Sequence, residues 1–78
     1  MPKAFEEGPY RFFFYSNDRD EPIHVHVKRE RNVAKFWLDP VQLERSGGFR
    51  PAELRTIERI VQANQESLME EWHGHFND

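Results

Sequence analysis

Ile23-His24-Val25-His26-Val27-Lys28, or IHVHVK, alternates apolar and polar side chains without a break. A period of two marks a β-strand with one face toward a core, because successive side chains leave opposite sides of the backbone. Ile23, Val25 and Val27 therefore share one face, and His24, His26 and Lys28 share the other. Arg29–Asn32 is a charged connection suited to a hairpin, and Val33–Leu38 (VAKFWL) is the next strand. Ala34, Phe36 and Leu38 fall on one side of it; Val33, Lys35 and Trp37 fall on the other. Pairing the two strands antiparallel with their aliphatic faces together puts His24, His26, Lys28, Lys35 and Trp37 on the opposite face.

Upstream, Tyr10–Tyr15 (YRFFFY) is an aromatic run that favours strand. Both of its faces are apolar, which places it inside the sheet, covered at least in part on each side. Ser16–Pro22 (SNDRDEP) is a turn by composition. Downstream, Asp39-Pro40 ends the second hairpin strand. Val41–Glu44 reads as a short further strand, with a single helical turn as the alternative, and Ser46-Gly47-Gly48 is a breaker. Pro51 suits the first position of a helix, where its missing donor costs nothing. Leu54, Ile57, Val61, Leu68 and Trp72 recur at helical spacing, widened by Ile60 and Met69, so one helix is expected from Pro51 to Trp72 with Gly74 as its stop. Asn64 interrupts the apolar stripe, as a satisfied buried amide or as a contact to something outside the monomer. The expected class is α+β: a small antiparallel sheet of three or four strands with one long C-terminal amphipathic helix packed on one face, in a single domain spanning residues 1–78.

A chain of 78 residues has a thin margin of buried surface. It has no cysteine, so neither a disulfide nor a thiolate metal site can staple it. Its core must come from aromatics, which make up 14% of the chain. No apolar run is long enough for a membrane span, and Met1-Pro2-Lys3-Ala4-Phe5 lacks the form of a signal peptide. A cytoplasmic protein with no membrane partner is expected. The net charge of −3 argues against a dedicated nucleic-acid binder. The charge is unevenly spread: the first 60 residues hold 11 basic and 10 acidic side chains, whereas the last 18 hold four acidic ones and no Lys or Arg. A small unstapled domain also gains from a homodimer or another protein partner.

The face carrying His24 and His26 is the candidate working surface. Two imidazoles leaving one side of a strand could share an ion, with Asp18, Asp20 or Glu21 of the preceding turn adding a carboxylate. His73 and His75 are further candidates, though two residues apart at a helix end they point in different directions. No cofactor is expected beyond zinc or another divalent metal. The same two histidines could instead act as acid and base in metal-independent RNA cleavage, with Lys28, Arg29, Arg31 and Lys35 on phosphates and Trp37 or Tyr15 stacking a base. The plainer reading is a solvated sheet face with hairpin charges. A third reading is a protein-binding surface, to which the same residues would contribute contacts.

These stretches resemble one family, the small bacterial domain of unknown function DUF4160. The resemblance rests on Phe13-Phe14-Tyr15-Ser16-Asn17, Glu21-Pro22-Ile23-His24-Val25-His26-Val27, Ala34-Lys35-Phe36-Trp37-Leu38-Asp39-Pro40-Val41, Gly47-Gly48-Phe49, and the helix from Leu54 to Trp72. Family members often carry a turn richer in Asn, His and Pro before the paired histidines. Here that turn is the more acidic Asp18-Arg19-Asp20-Glu21-Pro22. The resemblance implies a small cytosolic α+β protein encoded beside another small protein, in an arrangement similar to toxin–antitoxin pairs. On that basis the chain is expected to bind a partner as the toxin-like member. No catalytic mechanism comes with the family.

Overall fold

The computed structural model describes residues 3–76. Met1, Pro2, Asn77 and Asp78, the last of them counted in the acidic end, lie outside the described residues. Five strands follow one another as an antiparallel meander: β1 (Lys3–Glu7), β2 (Tyr10–Phe13), β3 (His24–Arg29), β4 (Asn32–Leu38) and β5 (Val41–Arg45). Two helices follow, α1 (Pro51–Ala63) and α2 (Gln65–Phe76). The class is α+β.

The β3–β4 hairpin pairs in the register set by the alternation. Val25 lies opposite Phe36 and Val27 opposite Ala34, while His24 faces Trp37 and His26 faces Lys35. The aliphatic set, with Phe12 and Leu38, is wholly buried against Ile57 and Val61 of α1 and Leu68 and Trp72 of α2. Phe12, Phe13 and Phe14 are all buried, so the aromatic strand is covered on both faces, as expected for a strand inside the sheet. Residues 41–45 form a strand, the favoured reading of that segment.

Three details differ from the sequence expectation. There are five strands, because Lys3–Glu7 adds an edge to β2. Its residues Phe5-Glu6-Glu7 show no alternation; it pairs with β2, Glu6 accepts from Arg11 at 3.4 Å, and the Phe5 ring stacks on Phe12 at 4.5 Å. The expected single helix is two, bent at Asn64, whose φ of −115° leaves the helical range. The Asn64 side-chain amide donates to the Ile60 carbonyl at 2.8 Å, so the polar residue in the stripe is a satisfied amide at a bend. Gly74 is not a stop: α2 continues through it to Phe76, whose ring packs on Trp72 at 4.5 Å.

A further difference matters most for the site. Alternation alone leaves the face opposite the helices open, yet His24 is fully buried and His26 and Lys35 nearly so. Two elements close it. The chain between β2 and β3 folds over it, and the ring of Trp72 of α2 lies 5.1 Å from the His24 ring.

Candidate functional site

Strand β3 holds His24 and His26 on one side, their rings 5.0 Å apart and nearly perpendicular. Cross-strand rows fix each ring. His26 stacks on Phe13 of β2 at 5.4 Å and meets the Tyr15 ring at 4.5 Å. His24 lies edge-on to Trp37 of β4 at 5.6 Å. Such pairs are the contacts by which a sheet holds its side chains in register.

The turn between β2 and β3 supplies the third member. Asp18 opens a short 3₁₀ turn, Asp18–Asp20, and is itself buried. Its backbone N–H donates to the Tyr15 carbonyl at 3.1 Å. Its Oδ2 accepts the Tyr15 backbone N–H at 2.7 Å, a local side-chain-to-backbone bond typical of Asp in turns. Held this way, the carboxylate faces both imidazoles. Oδ1 is 3.1 Å from His24 Nε2, and Oδ2 accepts a hydrogen bond from His26 Nε2 at 3.0 Å. One ligand atom from each of Asp18, His24 and His26 lies within 4.8 Å of the other two.

The far side of the His24 ring fixes its proton. Nδ1 donates to the Pro22 carbonyl at 2.8 Å, and a carbonyl only accepts. In the neutral ring, Nε2 therefore carries a lone pair, buried and turned toward the Asp18 carboxylate. That nitrogen has no hydrogen-bond partner among the described residues. Two electron-rich atoms 3.1 Å apart call for an electrophile near them. For His26, burial holds the imidazole below its ordinary value, with the Asp18 charge opposing and His24 assisting. A metal binds an unprotonated ring nitrogen, so an ion at His26 Nε2 would replace the proton now donated to Asp18 and leave the ring protonated on Nδ1.

The other sequence candidates scatter. Asp20 is exposed and takes no part, and Glu21 turns to the Lys35 ammonium, whose hydrogen bond holds the Glu21 carboxyl below its usual range. Lys35 also lies 3.9 Å from Glu44 and sits over the Trp37 ring at 4.7 Å. Arg29 is not a loop-edge cation: it ends β3 on the helix side and donates to Glu53 of α1 at 2.7 Å. Lys28 is half-buried and Arg31 exposed; neither makes an ion pair among the described residues. His73 and His75 are exposed on α2, His75 against Phe14, and do not join the cluster. Helical spacing marks Trp72 only as core, and it also walls His24. Nothing in that spacing distinguishes the two duties. Among the described residues no helix is long and apolar enough to cross a membrane.

A family model described as Domain of unknown function (DUF4160) matches residues 10–73. No curated protein matches the chain, and no solved structure does. The family match runs from β2 into α2 and takes in Asp18, His24, His26 and Trp72 together. With most of its length covered, the chain belongs to the DUF4160 family.

Proposed function

We propose that this protein is a small metal-binding domain in which Asp18, His24 and His26 hold one divalent transition-metal ion, with zinc the natural choice. The observation that carries this reading is His24 Nε2: buried, without a hydrogen-bond partner among the described residues, and 3.1 Å from a carboxylate oxygen. Two imidazoles and a carboxylate form an ordinary zinc donor set, and ligand bonds of about 2.0–2.2 Å place neighbouring donors roughly 3.3–3.5 Å apart. The spacings of 3.0 and 3.1 Å, one from each Asp18 oxygen, lie a few tenths of an ångström below that range, and one ligand atom from each residue lies within 4.8 Å of the other two. The Nδ1–H bond to the Pro22 carbonyl is the outer contact that usually orients a metal-bound histidine. Three protein ligands leave a fourth position for water or a small ligand, and the burial of the centre favours holding an ion over turnover.

The test is zinc titration of tag-free, chelator-treated protein by calorimetry. The expected result is one ion per chain. Asp18→Asn should weaken binding by more than the ~10–100-fold typical of losing an outer-shell contact, because it removes a ligand. Wild-type protein that takes up no zinc, or an Asp18→Asn chain that binds equally well, overturns the reading.

A second reading is a partner-binding module, the toxin-like member of a two-protein pair. It is favoured by Tyr15, a residue 38% exposed whose ring lies 4.5 Å from the His26 ring, so a protein landing there would touch the roof of the centre. Co-expression with the neighbouring gene tests it. Growth arrest relieved by the neighbour and lost in His26→Ala supports it; no effect on growth and no co-purification counts against it. An RNA-cleaving role draws less support, since His24 is shut away from solvent and Lys35 and Arg29 are held by carboxylates.

A further inference from the structure

The uneven charge of the sequence has a definite place in the fold. Arg55 and Arg59 are exposed on α1, Glu66 and Glu70 are exposed on α2, and Gln62 is exposed between them. At 100° per residue Arg55, Arg59 and Gln62 fall within roughly 60° on α1, and Glu66 and Glu70 lie about 40° apart on α2. The bend at Asn64 does not break the row. The Asn64 N–H donates to the Ile60 carbonyl at 3.1 Å, and the Leu68 N–H donates to the Asn64 carbonyl at 2.9 Å, so helical bonding continues through it. The row is basic at one end and acidic at the other.

Within the chain the row meets one opposite charge at helical spacing, Glu58 three residues from Arg55, and is otherwise unfavourable. Arg55 and Arg59 are like charges four residues apart, and so are Glu66 and Glu70. Like pairs at that spacing destabilise a helix, whereas opposite pairs support it. None of the four makes an ion pair among the described residues. The order is also its own reverse complement. Reversed about the Gln62–Ala63 bond, position 55 exchanges with 70 and position 59 with 66. Small or neutral residues occupy the centre, where Gln62 and Ala63 line one end of a shallow groove shared with Arg55, Glu58 and Arg59. Glu58 beside the row exchanges with Ser67, which brings no like charge against it.

We infer that the row Arg55–Arg59–Gln62–Glu66–Glu70 is a docking face for a second copy of this chain, the two helix rows lying antiparallel about a two-fold axis. Arg55 and Arg59 of each copy then meet Glu70 and Glu66 of the other, the isologous pattern of a symmetric dimer. Every like-charge neighbour gains an opposite charge, and the contact is made twice. The face lies on the outer side of the helices, so it is independent of the Asp18–His24–His26 centre and of what that centre holds. An interface built on exposed charge pairs is weak and strongly screened by salt.

The test is the mass of the full chain by sedimentation equilibrium, in ~20 mM and then ~500 mM salt, where screening shortens from tens of ångströms to a few. Wild-type protein should be dimeric at low salt and monomeric at high salt. The double variants Arg55→Glu with Arg59→Glu, and Glu66→Arg with Glu70→Arg, should each be monomeric in both, because like rows then face each other. An equimolar mixture of the two variants should dimerise at low salt, since each row again meets its opposite. Wild-type protein that is monomeric at low salt, a variant that dimerises as well as wild type, or a mixture that stays monomeric overturns the proposal. The salt response of the wild type judges it even where a variant fails to fold.

Discussion

Glu53 is a residue at which one carboxylate ties three elements together. It accepts hydrogen bonds from the Tyr10 hydroxyl at 2.8 Å and from Arg29 at 2.7 Å, joining β2 and β3 to α1. The Tyr10 bond, then Arg29, holds its carboxyl below the ordinary value of 4.5. A carboxyl depressed in the folded state contributes stability that is present above its unfolded value and is lost as pH falls through its lower folded value. Glu53→Gln should therefore melt earlier than wild type at neutral pH, and the difference should close below pH 4.5; melting curves across pH check it. Trp72 makes a larger contribution, because its ring touches Phe14, His24 and Phe76 together. Trp72→Ala should cost about 3–5 kcal/mol in urea unfolding, the usual range for emptying a buried aromatic site. At this scale the paired histidines were legible, because strand alternation puts both on one side. Asp18 was legible only as one of three carboxylates. Choosing it over Asp20 and Glu21 depends on a 3₁₀ turn and on a bond to the Tyr15 N–H, which composition does not encode. The closure of the basic face was hidden for a related reason: Glu21 and Glu44 reach Lys35 from segments whose positions depend on the turns.

Among the elements, the connection from β5 to α1 has the tightest backbone. Gly47 has φ +63°, and a Cβ built there would lie 1.8 Å from the Val33 carbonyl oxygen. Gly47→Ala meets both the left-handed backbone and a rigid neighbour, so it should cost more than the ~1–2 kcal/mol of the conformation alone. Gly74 is the contrast: it sits in α2, and a Cβ added to it would meet nothing within 4 Å. Gly74→Ala should stabilise by about 0.5–1 kcal/mol, the ordinary helix preference of Ala over Gly. Urea unfolding of the two variants side by side checks both signs. The strands β3, β4 and β5 were readable because alternation and the Asp39-Pro40 and Gly47-Gly48 breakers are local signals. Strand β1 was not, since its one half-buried ring, Phe5, gives no period. The helix bend was not either: Asn64 was visible as an exception in the stripe, but only its bond to the Ile60 carbonyl shows that it turns the chain.

For the whole molecule, a chain of 78 residues without disulfides has few ways to tie its long β2–β3 connection down. An ion held by Asp18 from that connection and by two residues of β3 would do so. Binding to the folded state alone stabilises by about 2.7 kcal/mol when the free ion stands at about 100 times its Kd. Zinc should accordingly raise the melting temperature of the wild type and leave that of His24→Ala unchanged. Anomalous diffraction at the zinc edge, from crystals grown with zinc, locates any metal ion held by the Asp18–His24–His26 centre. One peak is expected, about 2.0–2.2 Å from His24 Nε2, His26 Nε2 and an Asp18 oxygen. A map with no peak there, and His24 Nε2 hydrogen-bonded to Asp18 or to water instead, would contradict it.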